Sequence, residues 1–555
     1  MSQQVRGGEL ILHGISLTIR RGELVAIIGG SGTGKTTLLD TMSGLRPPTA
    51  GEVRRNGAQD RHGYVPQDDI IHLSLPLRRT LQYTAQLRLP AESTAEQTEH
   101  AVTDVLKTLE LTDRADVPVG SLSGGQRKRA SIAAELLTRP GVFFLDEPTS
   151  GLDPARDAEL MRTLRQLADE GTTVVLTTHN PLDAQRCDKV AVLADHGYLA
   201  FFGIPAGACA YFGTDDISQI YEKLADSGTA ESWGRRFTEF ALAETVPSAQ
   251  QLNGPNRPKG CGEAHRAHAA EPGYAATASS LRGIGGFRQW VLLTRRNAEI
   301  VARSRLTLAI LIGSPILVLA MFVVLFRPHA FGPGQPSPEA TVMILFWVAF
   351  GGFFFGLTYG LLQICSEFAV LRRERFVGLR AGPYVLAKVA VLLPLLAVVD
   401  AAFLVVLRAL GRLPASGDYA AVFGTLVLSS AAALGLGLLI SAAVSEPAQA
   451  TLAMPMVCFP QVLFVGAILP VPVMAVVGRW ISYAMSNRWA FEGLGHSFDV
   501  NRLWADGGSQ LGPPLLASYG ATFSHPVVAD LLILGGFTVA FLAATCAVIV
   551  RKTRA

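Results

Sequence analysis

The sequence has few of the features that mark small secreted or metal-binding domains. Its six cysteines are widely scattered along 555 residues. No Cys-x2-Cys pair supplies a zinc site and no regular spacing supplies a disulfide framework, so we predict that the cysteines are ordinary packing residues. The first residues contain no apolar segment of the kind that a cleavable signal peptide requires, which predicts a cytosolic location for the N-terminal part of the chain.

Charge is also scarce. Charged residues make up 17% of the sequence and the formal net charge is +3, so the composition indicates no nucleic-acid partner. Arginine greatly outnumbers lysine and no Asn-x-Ser/Thr acceptor occurs, which favours a bacterial chain from a GC-rich genome. One basic run, Arg127-Lys128-Arg129, is predicted to form a solvated basic face of a helix.

Apolar residues, in contrast, are abundant. They account for 49% of the chain, and a mean hydropathy of +0.32 is too high for a wholly soluble protein. Six stretches are long enough to cross a bilayer, at residues 306–326, 342–364, 384–407, 421–444, 450–468 and 527–550. The positive-inside rule then predicts that both termini are cytoplasmic, because the loop after the second stretch carries Arg372, Arg373, Arg375, Arg380 and Lys388.

The first half contains a phosphate-binding motif of the form Gly-x4-Gly-Lys-Thr. It follows the apolar run 24–28 and leads into the apolar segment 37–39, which is the strand, loop and helix order of a P-loop. Glycines let successive backbone N–H groups point at phosphates, the lysine reaches the β- and γ-phosphates, and the threonine hydroxyl can bind Mg²⁺. The predicted triphosphate-binding residues are Gly29, Gly30, Ser31, Gly32, Thr33, Gly34, Lys35, Thr36 and Thr37.

Two adjacent carboxylates follow a second apolar run. Residues 141–145 are predicted to form a buried parallel strand that ends at Asp146 and Glu147. Side chains alternate along a strand, so the two carboxylates diverge. We predict that Asp146 holds Mg²⁺ and that Glu147 faces an attacking water. A surface Asp-Glu pair at a strand end is the alternative.

With these motifs the chain resembles the ATP-binding cassette (ABC) family. The signature of that family, Leu122-Ser123-Gly124-Gly125-Gln126, lies between the P-loop and the Asp-Glu pair. Three further elements occur in family order, namely Gln67, Ser150-Gly151-Leu152-Asp153 and His179. The resemblance covers residues 1–225 and implies an α/β P-loop NTPase cassette, with a RecA-like core and a helical subdomain.

The resemblance implies a role for each motif. Two cassettes sandwich two ATP molecules head to tail, so the signature residues of one chain complete the site around Lys35 of the other. Glu147 polarises water, and His179 contacts the γ-phosphate. Gln67 joins Thr36 and Asp146 at the Mg²⁺ ion and links it to the membrane part, while Asp153 lies at the dimer seam. Taken singly, His179 reads as an ordinary loop histidine and Gln67 as a surface amide.

The sequence departs from the family pattern at one point. Family members usually stack adenine on an aromatic residue upstream of the P-loop, whereas only His13 offers a ring before Tyr64 here. Either adenine is held differently or the start of the chain is trimmed. The preference for ATP over GTP therefore stays open at this stage.

The composition changes after the cassette. Residues 226–285 lose periodicity and fill with Ala, Ser, Gly and Pro, which predicts a flexible linker. Residues 286–305 mix basic and apolar residues at helical spacing, which predicts an amphipathic connecting helix at the cytoplasmic membrane surface. A soluble packing helix is the alternative. Residues 306–555 form the predicted all-α transmembrane permease domain with six spans.

The order of cassette first and membrane domain second resembles the G subfamily of ABC transporters, in the form of a bacterial half-transporter. Residues 367–375 resemble its intracellular coupling segment, and residues 482–493 resemble its external loop before the last span. By the same resemblance, spans two and five line the transport route. The aromatic and polar residues there suit lipids, glycolipids or drugs, with helix packing as the alternative for each: Phe350, Phe353, Phe354, Phe355, Phe459, Gln461 and Phe464.

Asp400 is an ionisable residue within the third apolar stretch. Such a residue by default marks a functional position or a partnered charge, and a role in proton coupling is one option.

Together these features predict a homodimeric, ATP-driven exporter of hydrophobic or amphipathic molecules in the plasma membrane. ATP and Mg²⁺ are the predicted cofactors, and a second copy of the chain and membrane lipids are the predicted partners. A heterodimer stays open. The alternative function is a membrane-anchored ATPase that regulates or assembles a complex without transporting a substrate.

Overall fold

The computed structural model describes residues 1–4, 8–54, 62–226, 230–245, 285–332, 337–376, 378–506 and 509–554. The chain divides into two compact units, Met1–Gly283 and Ile284–Ala555. The five cysteines that the structure describes are free, as predicted, while Cys261 lies outside the described residues.

The first unit is built around a sheet. Its described strands are β1 (Gln3–Gln4), β2 (Leu10–Leu12), β3 (Leu24–Gly29), β4 (His62–Val65), β5 (Val142–Leu145), β6 (Thr173–Thr177), β7 (Lys189–Ala194) and β8 (Tyr198–Gly203). Six of them form one sheet in the order β4-β5-β6-β3-β7-β8, parallel except for β8. The carboxyl ends of β3, β4, β5 and β6 therefore share one edge, and each is followed by a predicted motif.

Helices cover this sheet and form the helical part of the unit. They are α1 (Lys35–Ser43), α2 (Leu77–Arg88), α3 (Ala95–Thr108), α4 (Gly124–Leu136), α5 (Pro154–Asp169), α6 (Pro181–Gln185), α7 (Pro205–Phe212), α8 (Ile217–Asp226) and α9 (Ala230–Thr245). Helices α2, α3 and α4, which lie between β4 and β5 in the sequence, pack on one another. Arg88 and Glu135 join α2 to α4 through two buried hydrogen bonds of 2.7 and 2.9 Å. The predicted α/β cassette with a helical subdomain is confirmed.

The structure differs from the predicted linker at its start. Residues Ala230–Thr245 form α9, which packs against β8. Trp233 is 3% exposed, and its ring lies 5.0 Å from that of Phe212. Burying aromatic area is favourable enough to order this segment as a helix of the cassette. Residues 227–229 and 246–284 of the predicted linker lie outside the described residues.

The regular secondary structure described in the second unit is entirely helical. Its α-helices are α10 (Gly286–Arg303), α11 (Arg305–Leu325), α12 (Pro338–Leu361), α13 (Phe368–Phe376), α14 (Ala381–Ala409), α15 (Tyr419–Ala443), α16 (Pro447–Leu463), α17 (Val476–Tyr483), α18 (Ser486–Ser497), α19 (Val500–Asp506), α20 (Gly512–Tyr519) and α21 (Val527–Arg554).

Five helical segments among the described residues are long and apolar enough to cross a membrane. They are Thr307–Leu325, Pro338–Phe376, Ala381–Ala409, Tyr419–Ala443 and Val527–Thr553, and they correspond to five of the six predicted spans. The remaining predicted span, at residues 450–468, corresponds to α16. That helix has 17 residues and contains Pro455 and Pro460, so it is shorter than the others, and the sixth span stays a prediction.

Three glycines allow α12 and α15 to pack closely. They recur every fourth residue on α12, at Gly352, Gly356 and Gly360. A Cβ atom at Gly356 would lie 2.1 Å from the Ser430 carbonyl oxygen, and one at Gly360 would lie 2.6 Å from that of Leu434. Small residues at this spacing let two helix backbones approach within a membrane.

The predicted connecting helix is α10, and its buried side packs on protein. Arg296 on α10 forms a buried bidentate ion pair with Glu374 on α13, with distances of 2.5 and 3.0 Å. The Gln289 side chain bonds the backbone of Gly378 and Arg380. These contacts support the alternative prediction, a packing helix, for the buried side of α10. The location of α10 at the membrane surface stays a prediction. The predicted coupling segment 367–375 consists mainly of α13.

Several residues predicted to line a transport route instead pack between helices. Phe353 and Phe355 are fully buried, and Gln461 accepts a hydrogen bond from the backbone N–H of Asn487 at 3.0 Å. Asp400 is also fully buried. Its carboxylate accepts a hydrogen bond from the Ser430 hydroxyl at 2.8 Å. For Phe353, Phe355 and Gln461, the structure therefore supports the alternative prediction of helix packing.

Candidate nucleotide site

The P-loop connects β3 to α1 in the expected order. Gly34 caps the start of α1 with φ of 92°, a left-handed conformation that glycine adopts without strain. A Cβ atom at Gly29 would lie 2.5 Å from the Leu193 carbonyl oxygen, so this position also requires glycine. The Lys35 ammonium donates hydrogen bonds to the carbonyl oxygens of Gly29 and Gly30, at 2.9 and 2.7 Å. The loop therefore wraps closely around its lysine.

Asp146 lies beside the threonine of the P-loop. Its Oδ1 atom accepts hydrogen bonds from the hydroxyls of Thr36 at 3.2 Å and Thr177 at 2.6 Å. The carboxylate is 4% exposed. Thr177 ends β6 and Asp146 follows β5, so neighbouring strands fix the side chain from two directions.

Glu147 points away from Asp146 and meets two other predicted residues. Its Oε2 atom accepts a hydrogen bond from the Gln67 amide at 3.0 Å, and its Oε1 atom lies 3.7 Å from Nδ1 of His179. The backbone N–H of Glu147 donates to the Thr177 hydroxyl at 2.8 Å. Three motifs that are distant in the sequence thus converge on one carboxylate.

These groups line a cavity of about 460 Å³. The lining residues are Gly29, Gly30, Ser31, Lys35, Glu147, His179, Pro181 and Tyr221. Burial lowers the pKa of the Lys35 ammonium, and the nearby Glu147 and Asp146 carboxylates partly offset that effect. The cavity therefore combines a cation, backbone N–H groups and a carboxylate, as hydrolysis of a phosphate anhydride requires.

Tyr221 is a lining residue that sequence reasoning missed. It lies on α8, and its hydroxyl is next to the backbone of Gly29. Burial raises the pKa of the Tyr221 phenol to about 12, so the hydroxyl stays protonated at neutral pH. No local motif accompanies this tyrosine; only the packing of α8 beside the P-loop reveals it.

Two of the residues predicted to lie at the dimer interface, Ser123 of the signature and Asp153, are helix caps. Ser123 caps α4 and forms a reciprocal capping box with Gln126, while Asp153 caps α5 by accepting from the Arg156 N–H at 3.1 Å. None of the residues Ser123, Gly124, Gly125, Gln126 and Asp153 is among those that line the cavity around Glu147. Their predicted contact with nucleotide in a second chain stays a prediction.

The predicted solvated basic face is wrong for Lys128. This residue is 5% exposed, and its ammonium donates hydrogen bonds to the carbonyl oxygens of Pro66 at 3.1 Å and Gln67 at 2.8 Å. Burial lowers the pKa of Lys128, and the nearby carboxylates, Asp69 foremost, oppose that shift. Because α4 begins at the signature, Lys128 joins the signature helix to the segment that carries Gln67.

The upstream ring offered by the sequence, His13, stacks on a second ring. The rings of His13 and Tyr198 are 4.2 Å apart with an interplanar angle of 11°. The backbone N–H of His13 also donates a hydrogen bond to the Gly197 carbonyl oxygen at 3.1 Å. Tyr198 was not identified from the sequence because it begins β8, far from His13 along the chain.

Comparison with known proteins places these motifs in a family. The ABC transporter family matches residues 12–150, and the ABC-2 type transporter family matches residues 288–498. ABC transporter G family member 7 of Arabidopsis thaliana is 30% identical over 535 residues, which cover 87% of this chain and 70% of that protein. The chain belongs to the G family of ABC transporters.

Two further relatives are also ABC transporters. ABC transporter G family member 14 of Arabidopsis thaliana is 30% identical over 476 residues, covering 80% of this chain and 72% of that protein. The ABC transporter ATP-binding/permease protein Rv1747 of Mycobacterium tuberculosis is 34% identical over 518 residues. This match covers 90% of the chain but 57% of the mycobacterial protein, so the chain spans little more than half of that relative.

Membership confirms the class that the sequence predicts. An ABC ATPase domain, which binds ATP, precedes an ABC-2 membrane domain in a multi-pass membrane protein. Members of this class couple ATP hydrolysis to transport. The G-family half-transporter, with its cassette at the N-terminal side, is the organisation that the order of motifs indicated.

Proposed function

We propose that this G-family chain is one half of a dimeric, ATP-driven exporter. It moves hydrophobic or amphipathic molecules such as lipids, glycolipids or drugs across the plasma membrane or between its leaflets. The observation that carries the proposal is the Glu147 carboxylate, which is held between Gln67 and His179 at the P-loop cavity. A carboxylate in this position can orient and polarise a water beside a terminal phosphate.

The other residues of the cavity have complementary tasks. Lys35 and the N–H groups at the start of α1 stabilise negative charge on the β- and γ-phosphates. His179 lies on the side of Glu147 opposite to Gln67 and contacts the γ-phosphate. Together these groups fix the scissile bond and the attacking water relative to each other, which lowers the entropic part of the barrier.

The residues around Asp146 fit a Mg²⁺ ion. Thr36 and Asp146 place two oxygen atoms 3.2 Å apart at the entrance of the P-loop, and hard oxygen donors are the ligands that Mg²⁺ prefers. Gln67 offers a third oxygen through its amide. Bound Mg²⁺ would offset the charge of the phosphates, while Thr177 holds Asp146 in place.

A second copy of the chain is proposed to complete each site. The signature residues stand at the start of α4, where the positive end of the helix favours a phosphate. Apart from its chain neighbours and the backbone of its own helix, a Cβ atom at Gly124 would meet no atom of the described residues within 4 Å. This open position is consistent with a signature that approaches a nucleotide held by a partner.

The alternative, an ATPase that regulates or assembles a complex, has one observation in its favour. Phe353, Phe355 and Gln461, which would line a route, are instead engaged in helix packing. Transport of a substrate therefore has to be tested separately from hydrolysis.

Reconstitution into liposomes distinguishes the two functions. The full chain is assayed for ATP hydrolysis and for movement of fluorescent phospholipid, glycolipid and drug probes, with Glu147→Gln as the hydrolysis-deficient control. The proposal predicts that a transported probe stimulates hydrolysis and that Glu147→Gln abolishes both activities. Hydrolysis that no probe stimulates, with no probe moved, favours the regulatory ATPase. Unchanged hydrolysis by Glu147→Gln would contradict the assigned site.

A further inference from the structure

A buried carboxylate holds the loops on both sides of the catalytic centre. Asp183 on α6 is 0% exposed. Its Oδ2 atom accepts hydrogen bonds from the hydroxyls of Thr149 at 2.8 Å and Thr178 at 3.1 Å. Thr149 follows Glu147 by two residues, and Thr178 immediately precedes His179. Asp183 therefore bridges the loop of the proposed water-activating residue and the loop of the histidine.

A second buried carboxylate holds the other flank of the same histidine. Asp157 lies in the first turn of α5, the helix that Asp153 caps, and is 8% exposed. Its Oδ2 atom accepts a hydrogen bond from the Asn180 amide at 2.7 Å. Asn180 immediately follows His179. Between them, Asp157 and Asp183 fix the residues before and after His179.

The two carboxyl groups also face each other. The Asp183 side chain acts on the Asp157 carboxyl through a hydrogen bond and through its charge, and the Oδ1 atom of each is buried without a hydrogen-bond partner among the described residues. Two ionised carboxylates in contact repel each other and have no donor to share. A single proton between the two Oδ1 atoms would satisfy both of these atoms and remove the repulsion.

We propose that Asp157 and Asp183 share one proton, and that the protonated pair positions His179 relative to Glu147. Both aspartates are positioning residues, because they act through Thr149, Thr178 and Asn180. This inference rests on the hydrolysis assigned to the site above. It adds a pH-dependent element that joins the loop after Glu147, the first turn of α5 and the histidine loop within one chain.

The surroundings set the direction of the pH dependence. Burial, together with the hydrogen bond and charge of Asp183, raises the pKa of Asp157 to about 6. The Asn180 amide and the Arg186 guanidinium, at the end of α6, act in the opposite direction. Thr149 and Thr178, which donate to Asp183, are uncharged. The Cys187 thiol donates to the Asp183 carbonyl oxygen at 3.3 Å, and burial raises its pKa so that it stays protonated. The shared proton is therefore present below pH about 6 and is lost above it.

The variant Asp157→Asn distinguishes a shared proton from a contact that is only structural. The amide keeps an oxygen for Asn180 and donates an N–H to Asp183 at every pH, so it imitates the protonated acid. Asp169→Asn is the matched control, because it removes the same charge from the exposed end of the same helix. Each variant of the full chain, reconstituted in liposomes, is assayed for kcat and KM of ATP hydrolysis between pH 5 and pH 8.

We expect the wild-type chain and Asp169→Asn to lose kcat as the pH rises through about 6. Asp157→Asn should lack this decline, matching the wild-type rate at pH 5 and exceeding it at pH 8. Ionisations elsewhere in the chain are common to all variants and cancel in the ratio of their rates. Asp157→Ala, which leaves Asn180 and Asp183 without the partner, should lower kcat by about tenfold to 100-fold with little change in KM.

Thermal unfolding provides an independent measurement. The folded chain holds the Asp157 proton more tightly than the unfolded chain, so the pair's contribution to stability falls as the pH rises from about 4 to about 6. This decline should be present in Asp169→Asn and absent from Asp157→Asn. A wild-type pH profile and unfolding slope in Asp157→Asn would overturn the shared proton, and full kcat in Asp157→Ala would overturn the positioning role. If the wild-type chain hydrolyses no ATP, the proposed function fails, and the unfolding slope still tests the pair.

Discussion

Glu147 has an unusual backbone conformation for a residue with a side chain. Its φ of 45° lies in the left-handed region, which costs about 1–3 kcal/mol for a non-glycine residue and persists only where the surroundings hold it. The Thr177 hydroxyl accepts from its N–H, and the Gln67 amide donates to its carboxylate. This conformation turns Glu147 away from Asp146 and toward His179, so strain is stored at the point where the proposed chemistry occurs.

The P-loop and Glu147 could be predicted because each follows an apolar run that forms a strand, β3 and β5 respectively. Gln67 and His179 were predicted from the resemblance to the family, and β4 and β6 place them at the same edge of the sheet. Lys128, Tyr221 and Asp183 could not be predicted. Their roles depend on which helix packs beside which loop, and no local spacing encodes that contact.

Replacement of Lys128 tests the connection between α4 and the Gln67 segment. Lys128→Ala removes two charged hydrogen bonds and leaves the carbonyl oxygens of Pro66 and Gln67 without this donor. We expect a loss of about 1.5–3 kcal/mol in the free energy of unfolding and a lower rate of ATP hydrolysis. Denaturant unfolding and ATPase assays measure both. Lys107→Ala, on the exposed end of α3, is the control, and equal behaviour of the two variants would show that the connection is dispensable.

At the scale of elements, α10 and α13 are joined by a buried ion pair. The prediction of an amphipathic helix identified α10, but not the arginine on its buried side, because Arg296 reads in the sequence as one of several membrane-surface cations. Removing one partner of a buried pair leaves an uncompensated charge, whereas removing both leaves a neutral contact. Arg296 and Glu374 therefore suit a double-mutant cycle.

Glu374→Ala alone should destabilise the detergent-solubilised chain by about 3–5 kcal/mol. Arg296→Met combined with Glu374→Ala should be less destabilising than the sum of the single changes. Thermal unfolding followed by size-exclusion chromatography measures the melting temperature of each variant. Additive effects would indicate that the two side chains do not interact.

The glycines of α12 carry a second prediction at this scale. The sequence shows that these glycines recur every fourth residue. The helix was nevertheless predicted from its hydropathy alone, and the helix that packs against it could not be predicted. The structure identifies α15 as that partner, through the approach of Gly356 to Ser430 and of Gly360 to Leu434.

Gly356→Val should prevent α12 and α15 from packing. The added atoms would occupy the position of the Ser430 carbonyl, and overpacking of this kind costs about 1–3 kcal/mol or more. The variant should lose the monodisperse fraction of purified protein in size-exclusion chromatography. Gly313→Val on α11 is the control, because a Cβ there meets no described atom within 4 Å apart from its chain neighbours and its own helix backbone. Equal yields of both variants would contradict the packing argument.

At the scale of the whole molecule, one chain holds the P-loop, the signature and the catalytic motifs of an ABC ATPase but does not bring them all together. Glu147, Gln67, His179 and the P-loop converge within the chain, whereas the signature residues at the start of α4 are not part of that cavity. Resemblance to the family predicted this division. The spacing of residues within one chain could not predict it, because that spacing does not show whether a site is shared between two copies.

If two copies of the chain build each catalytic site, mixing a signature variant with a catalytic variant should restore hydrolysis. Gly124→Arg places a bulky cation where its own chain leaves open space, so the variant should fold yet block the partner's site. Glu147→Gln removes the proposed water-activating carboxylate. The two chains carry different affinity tags, are co-expressed, and are purified through both tags so that only mixed dimers remain.

Each variant alone should hydrolyse almost no ATP, since both of its sites are damaged. A mixed dimer contains one doubly damaged site and one intact site, formed by the P-loop of the Gly124→Arg chain and the signature of the Glu147→Gln chain. We therefore expect the mixed dimer to hydrolyse ATP at about half of the wild-type rate, because a two-fold symmetric dimer has two equivalent sites. A mixed dimer as inactive as its parents would contradict the shared site.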